Sequence, residues 1–229
     1  MCGRYTLHHT PDEIAERFEA EWIEEAMRRR YNIAPTQTVP IIYQSGDQAG
    51  GRSKMMGCQW GLVPSWAKDP AMGNKLINAR AETLMEKPSF KQALIRRRCL
   101  VPADGFYEWP KKGPAAGQPV YARLRGGSLF AFAGLWEEWR APDGEILRTF
   151  TIITVEPNEL ISKFHHRMAA ILQPSEEADW LNLKNPATEV VRLLRPYPAA
   201  EMEAYRVARA VNNASFDDPS CIAPVDDTG

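Results

Sequence analysis

The run Leu129-Phe130-Ala131-Phe132-Ala133-Gly134-Leu135-Trp136, followed after Pro142-Asp143-Gly144 by Leu147-Arg148-Thr149-Phe150-Thr151-Ile152-Ile153-Thr154-Val155, decides the fold class. Both runs are rich in aromatic and β-branched residues, which suit a pleated and largely buried surface, and the Pro-Asp-Gly between them is turn chemistry. Outward from this pair, Val39 to Tyr43, Met56 to Leu62, Cys99 to Trp109 and Val120 to Leu124 have the same character, and Gly126-Gly127 separates the last of them from Leu129. Helices are fewer. Thr10-Pro11-Asp12-Glu13 predicts a helix start with a Thr cap, Pro at the first position and Glu three residues after the cap. Ile14, Phe18, Trp22 or Ile23, and Met27 then recur at helical spacing and carry this helix to near Arg30. Short helices fit Ser89 to Arg97, Pro157 to Phe164, Ser175 to Leu183 and Pro186 to Arg195, with Ser175 and Asn185 as N-caps. Strands thus outnumber peripheral helices, which predicts an α+β domain with a curved, mainly antiparallel sheet.

A chain of 229 residues buries one substantial core, and neither an internal repeat nor a long linker divides it, so residues 1–229 read as a single domain. The last residues, about 215–229, hold Asp217, Asp218, Asp226, Asp227 and several prolines and read as a tail. Hydrophobic residues at 44% and charged residues at 25% exclude a disordered or fibrous class. No run of about 18 apolar residues is present, and the start lacks a basic segment followed by an apolar one, so the expectation is a cytoplasmic protein with no membrane partner. Cys2, Cys58, Cys99 and Cys221 are scattered without a C-x-x-C pair, which points to neither a disulfide framework nor a zinc site. No metal, nucleotide or organic cofactor is implied, and a monomer is expected. The net charge of −1 hides an asymmetry: residues 1–125 carry 19 Lys+Arg against 13 Asp+Glu, and residues 126–229 carry 9 against 16. The triplets Arg28-Arg29-Arg30 and Arg96-Arg97-Arg98 lie in the basic part and read either as solvated helix ends or as phosphate contacts.

The start Met1-Cys2-Gly3-Arg4-Tyr5 is the most unusual feature. Cys at position two is small enough for Met1 to be removed, leaving an α-amine and a thiol on one residue. With pKa values of about 7.7–8.0 and about 8.5, both groups are partly deprotonated near neutral pH when exposed. Such a 1,2-aminothiol attacks an aldehyde through nitrogen and closes on the imine through sulfur, giving a thiazolidine. The alternative is a small apolar residue in an N-terminal strand.

Polar groups beside Gly, Pro and Trp concentrate in Asn32-Ile33-Ala34-Pro35-Thr36, Trp60-Gly61-Leu62-Val63-Pro64-Ser65-Trp66, Asn78-Ala79-Arg80-Ala81-Glu82-Thr83, Ala103-Asp104-Gly105-Phe106-Tyr107-Glu108-Trp109 and His165-His166-Arg167-Met168. Together with Met-Cys-Gly-Arg-Tyr, this ordered set resembles the SRAP family, named from an SOS-response-associated peptidase. The resemblance runs from Cys2 to Val207-Ala208-Arg209-Ala210-Val211-Asn212, and it departs at Ala169, where the family usually has Pro. It implies a barrel-like core and an abasic-site sensor in single-stranded DNA, acting at strand or single/double-strand junction sites through a covalent crosslink. It further implies Cys2 as nucleophile, Asn78 as the residue positioning it, and Glu108 and His165 as the acid/base pair. Arg4, Arg80 and Arg167 resemble its DNA contacts, and Pro35, Trp66 and Trp109 its contacts to the unstacked strand and duplex edge.

The chemistry of the residues agrees with that assignment. An abasic sugar is mainly a closed hemiacetal, which a carboxylate such as Glu108 helps open by moving a proton. Loss of water from the carbinolamine needs an acid, which His165 can supply near neutral pH, with His166 the adjacent alternative. Read singly, Glu108 is an exposed strand-end charge, Asn78 a turn cap, Arg80 a partner for Glu82, and the two tryptophans core aromatics. Two other functions fit parts of the pattern. A cysteine peptidase or amidohydrolase, its activity turned on its own Met1, needs the thiol but no DNA. A non-covalent module for modified bases or junction DNA needs the arginines and tryptophans but no thiol.

Overall fold

The computed structural model describes residues 2–22, 28–44, 53–111 and 116–225. Thirteen strands follow in chain order: β1 (Tyr5–Leu7), β2 (Ala20–Trp22), β3 (Arg30–Ile33), β4 (Thr38–Tyr43), β5 (Ser53–Trp60), β6 (Asn78–Arg80), β7 (Arg98–Ala103), β8 (Gly105–Glu108), β9 (Val120–Leu124), β10 (Phe130–Arg140), β11 (Ile146–Val155), β12 (Met168–Ala169) and β13 (Met202–Arg206). The four α-helices are α1 (Pro11–Arg17), α2 (Pro88–Arg96), α3 (Glu177–Leu181) and α4 (Ala187–Val190). The strand pair from which the fold was read is β10 and β11, antiparallel from Gly134 opposite Ile152 to Arg140 opposite Ile146. Strands β11, β10, β7, β4 and β5 pair in that order, and a parallel pairing of β5 with β11 closes the ring. Closure removes the exposed edges a sheet of this size otherwise carries. A second sheet, β13-β9-β8-β1-β3, is antiparallel throughout. The α+β fold with a curved, mainly antiparallel barrel is therefore as expected.

The core lies in the barrel and against the second sheet. Tyr5 packs edge-on to Trp60 at 5.3 Å and to Phe132 at 5.9 Å, and Phe132 meets Phe106 and Phe130 at 5.9 and 5.1 Å. All five rings are buried, and aromatic burial of this kind contributes about 1.5–3 kcal/mol per side chain. Strand β1 thus reaches the core through Tyr5, which fixes the chain immediately after Cys2. The single strand expected from Cys99 to Trp109 is two, because the chain leaves the barrel at Asp104 and enters the second sheet at Gly105. A Cβ at Gly105 would stand 2.4 Å from the Tyr121 ring, so only glycine fits at this crossing.

Several helix expectations need correction. Thr10 caps α1 as expected, with the Glu13 amide donating to Thr10 Oγ1 and the Thr10 amide to Glu13 Oε2, but α1 ends at Arg17 rather than near Arg30. Glu19 turns the chain at φ 49°, and Ala20–Trp22 pairs in parallel with Ser53 to Met55 of β5. Sheet pairing overrides the helical spacing of Phe18 and Trp22, while Ile23 and Met27 lie outside the described residues. Between Pro157 and Phe164 only a 3-10 turn forms, at Ile161–Lys163. Glu176 and Pro186, not Ser175 and Asn185, occupy the N-caps of α3 and α4; the Asn185 amide instead donates to the Asp179 carbonyl. The C-terminal segment is integrated as far as 225. Asp217 accepts from the backbone amides of Tyr31 and Asn32 and from the Arg30 guanidinium, and Cys221 is buried in a 3-10 turn. Among the described residues no helix is long and apolar enough to cross a membrane.

Candidate functional site

Cys2 precedes β1, and β1 runs antiparallel to β8 with Tyr5 opposite Phe106. The Tyr107 amide donates to the Arg4 carbonyl at 3.0 Å, which brings the start of the chain alongside Glu108, the last residue of β8. From the barrel side, β6 lies parallel to β11 with Asn78 opposite Ile152, and Asn78 Nδ2 donates to the Cys2 carbonyl at 2.8 Å. Two sheets thus converge on residue 2. The Cys2 thiol lies 3.8 Å from the Arg4 carbonyl and is fully buried. Asn78 Oδ1 is buried without a hydrogen-bond partner among the described residues, so an unused acceptor sits on the group that holds Cys2.

Burial sets the electrostatics. Glu108 is 4% exposed, and desolvation by burial pushes its carboxyl up to about 7, against the opposing pull of nearby positive charge. Burial pushes the Cys2 thiol far above its usual range, and repulsion from Glu108 adds to the shift. The sulfur is therefore a neutral thiol near pH 7. Partial burial, and then the charge of the amino terminus, hold the His165 imidazole below its ordinary value. His165 Nδ1 lies 3.0 Å from the Arg167 amide and 3.1 Å from the Arg167 carbonyl. The neutral ring accepts from the first, and the protonated ring donates to the second, so the same backbone supports both states of an acid/base group. His166 stacks on His165 at 4.3 Å and is exposed.

The residues expected at DNA divide into two groups. Trp66 is 57% exposed, and Arg80 projects from the end of β6 with no ion pair or side-chain hydrogen bond among the described residues. Pro35 is half-buried beside Thr36, whose φ of 72° is unusual for a β-branched residue and whose amide donates to the Trp60 carbonyl at 2.8 Å. The second group has internal work. Arg4 Nη1 donates to Asn32 Oδ1 at 2.8 Å and to the Val211 carbonyl at 2.9 Å, and Trp109 Nε1 donates to Asn212 Oδ1 at 2.7 Å. Arg167 is the most fully bonded of the three: its guanidinium forks onto Glu82 at 2.8 and 2.9 Å and donates to the Thr154 carbonyl at 2.7 Å, which ties it to β11. Glu82 is thereby paired with Arg167 and not with Arg80.

Sequence reasoning assigns Asn32 no role. It is fully buried, its Nδ2 faces the carbonyls of Val211, Asn213 and Phe216, and its Oδ1 receives Arg4. The available signal is an amide next to Ile33 and Ala34 in a strand that turns inward, where burial obliges it to find partners. The arginine triplets also divide. Arg98 is buried and donates to the carbonyls of Leu94, Trp180, Asn182 and Asn185, Arg97 pairs with Glu137 at 2.9 Å, and Arg30 is held by Asp217.

The model of the family described as SOS response associated peptidase (SRAP) matches residues 1–214. The abasic site processing protein YoqW of Bacillus subtilis (strain 168) is 44% identical over 225 residues, covering 97% of this chain and 99% of the relative. The abasic site processing protein HMCES of Gallus gallus is 35% identical, covering 94% of this chain and 72% of the relative. A crystal structure of a protein from Bacteroides thetaiotaomicron superposes with a TM-score of 0.87 at 28% identity, covering 98% of this chain and all of the other. With a family match across nearly the whole chain and relatives identical at more than a third of positions, the chain belongs to the SRAP family.

Proposed function

We propose that this chain processes abasic sites in single-stranded DNA by capturing the sugar aldehyde on Cys2 after removal of Met1. The observation that carries the reading is the convergence on one terminal residue of Asn78, bonded to the Cys2 carbonyl at 2.8 Å, and of Glu108, whose carboxyl titrates at about 7. While Met1 is present the Cys2 nitrogen is an amide and cannot attack. Once it is an amine, the unused Asn78 Oδ1 offers it an acceptor.

Glu108 takes the proton of the anomeric hydroxyl and passes it to the ring oxygen as the bond from that oxygen to C1′ breaks, so the open aldehyde forms and Glu108 is a carboxylate again. The Cys2 amine adds to C1′, and the carbinolamine loses one water to give an iminium, with protonated His165 as the acid. The thiol then adds to the same carbon and gives its proton to Glu108. Overall one water is lost and one C–N and one C–S bond form. A neutral, buried thiol suits this order, because nitrogen attacks first and sulfur need not be a free thiolate in solution. The same burial weighs against the peptidase reading, which needs an activated thiolate at the start.

Arg80 and Trp66 supply the exposed charge and stacking face for a backbone and an unstacked base, the latter contributing about 1–3 kcal/mol per base. Binding is read by shape and charge, without base-edge contacts, and the partner is lesion-bearing single-stranded DNA, including its junctions with duplex. The test is a denaturing gel after mixing the protein with an oligonucleotide carrying one abasic site. A slow band that survives denaturation is expected from the native chain and none from Cys2→Ala, while Cys2→Ala still binds DNA in a native gel; equal covalent yield from Cys2→Ala refutes the reading.

A further inference from the structure

We propose that His8, His9 and Asp104 form a binding site for one divalent transition-metal ion of the class that takes imidazole and carboxylate ligands, with zinc as the first candidate. One ligand atom from each residue lies within 4.8 Å of the other two. His8 Nε2 is 3.6 Å from Asp104 Oδ2, and His9 Nδ1 is hydrogen-bonded to Asp104 Oδ1. Zinc–ligand bonds of about 2.0–2.2 Å place neighbouring donors of a tetrahedron roughly 3.3–3.6 Å apart, which the His8–Asp104 pair meets, while His9 and Asp104 must part slightly to admit the ion. The His8 ring is held between Tyr31 and His9, stacked on each at 5.4 Å, which limits the freedom lost on binding.

Charge supplies a second, independent reason. Asp104 is 1% exposed and has no Lys or Arg ion pair among the described residues; its closest partners are the His8 amide and the two imidazoles. A buried carboxylate needs a compensating positive charge. Among the described residues only the two imidazoles and the His8 amide face it, and a divalent ion bridging the imidazoles to Asp104 supplies that charge. On binding, the ion takes the His9 Nδ1 lone pair, and the proton shared by His9 and Asp104 is released to the buffer. Each imidazole is about a quarter exposed, which gives the ion an entry path and leaves a fourth position for water. The positive charge of Arg29 acts on both rings and opposes binding, while the negative charge of Glu13 acts on His9 and favours it.

The site joins the chain just after β1 to the turn between β7 and β8, so the ion would tie together the strands whose other ends carry Cys2 and Glu108. It lies at the far end of β1 from the sulfur and acts on stability, not on the reacting atoms. The inference does not rest on the abasic-site reading. In the sequence Asp104 stands 95 residues from His9, and no ligand spacing announces the cluster.

The full chain, stripped with EDTA, is titrated with zinc chloride near neutral pH and read by calorimetry and by the thermal midpoint. The wild type and Cys2→Ala, which removes the competing aminothiol, are each expected to bind one equivalent at this site and to gain thermal stability. His8→Ala and His9→Ala keep the backbone amides on which the turn depends, and each is expected to weaken zinc by roughly tenfold or more with unchanged far-ultraviolet circular dichroism. Absence of binding by Cys2→Ala, or equal affinity in His9→Ala, overturns the proposal.

Discussion

At Glu108 the cost of a buried carboxyl is largest. Its titration rises from an ordinary value of 4.5 to about 7, so the folded chain binds this proton more tightly than the unfolded one. Stability from this group is therefore present below about pH 4.5 and is lost as pH rises through about 7. The shift corresponds to at most about 3 kcal/mol. Glu108→Gln is expected to raise the thermal midpoint over wild type at pH 8, with the difference vanishing near pH 4, while crosslinking slows at every pH. Thermal melts across this range check the first part; a variant less stable than wild type at pH 8 contradicts the account. Such a cost at one residue is characteristic of a group kept for chemistry, since a carboxyl near pH 7 can both take and return a proton.

Among the elements, β11 is the brace of the site: β6 with Asn78 lies on one side, β12 on the other, and Arg167 spans from Thr154 to Glu82. Because the Glu82 side chain is 52% exposed, the ion pair itself contributes modestly, and the buried Thr154 carbonyl carries more. Arg167→Ala is expected to destabilise by about 1–3 kcal/mol in urea unfolding, yet to leave the salt dependence of DNA binding unchanged. Arg80→Ala should do the reverse, lowering the log–log salt slope by about one contact. A slope change in Arg167→Ala contradicts its assignment as a brace. Elements with a strong local signal were legible in the sequence: the capping box of α1, helix α2, and the aromatic strands β4, β7, β10 and β11. Strands β1, β3, β6, β12 and β13 were not, because they span two to five residues and owe their conformation to a distant partner. The same holds for α1, whose helical spacing continues past the residue where pairing with β5 takes over. Candidate site residues were legible as an ordered set of motifs, but their contacts were not. Whether an arginine faces solvent, as Arg80 does, or pairs with a carboxylate of the same chain, as Arg167 does with Glu82, depends on a partner the local sequence does not specify.

Over the whole molecule, the closed barrel leaves the chemistry to its rim, where the second sheet delivers Cys2 and Glu108 and the barrel delivers Asn78. The C-terminal segment completes this assembly, with Asp217 gripping Arg30 and the amides of β3, and with the carbonyls of Val211 and Asn212 receiving Arg4. The family match ends at 214, before Asp217 and Cys221, so part of this clasp lies beyond the matched region. Basic and acidic residues separate along the chain, but the fold pairs many of them across the two halves, as Arg30 with Asp217 and Arg97 with Glu137. The event proposed for this rim, capture of the sugar on Cys2, is read directly by the intact mass of the covalent product. After reaction with an abasic oligonucleotide, the account predicts a species equal to the chain without Met1, plus the oligonucleotide, minus one water, with the linkage on Cys2 by fragmentation. An adduct that retains Met1, or one linked through a lysine, would contradict it.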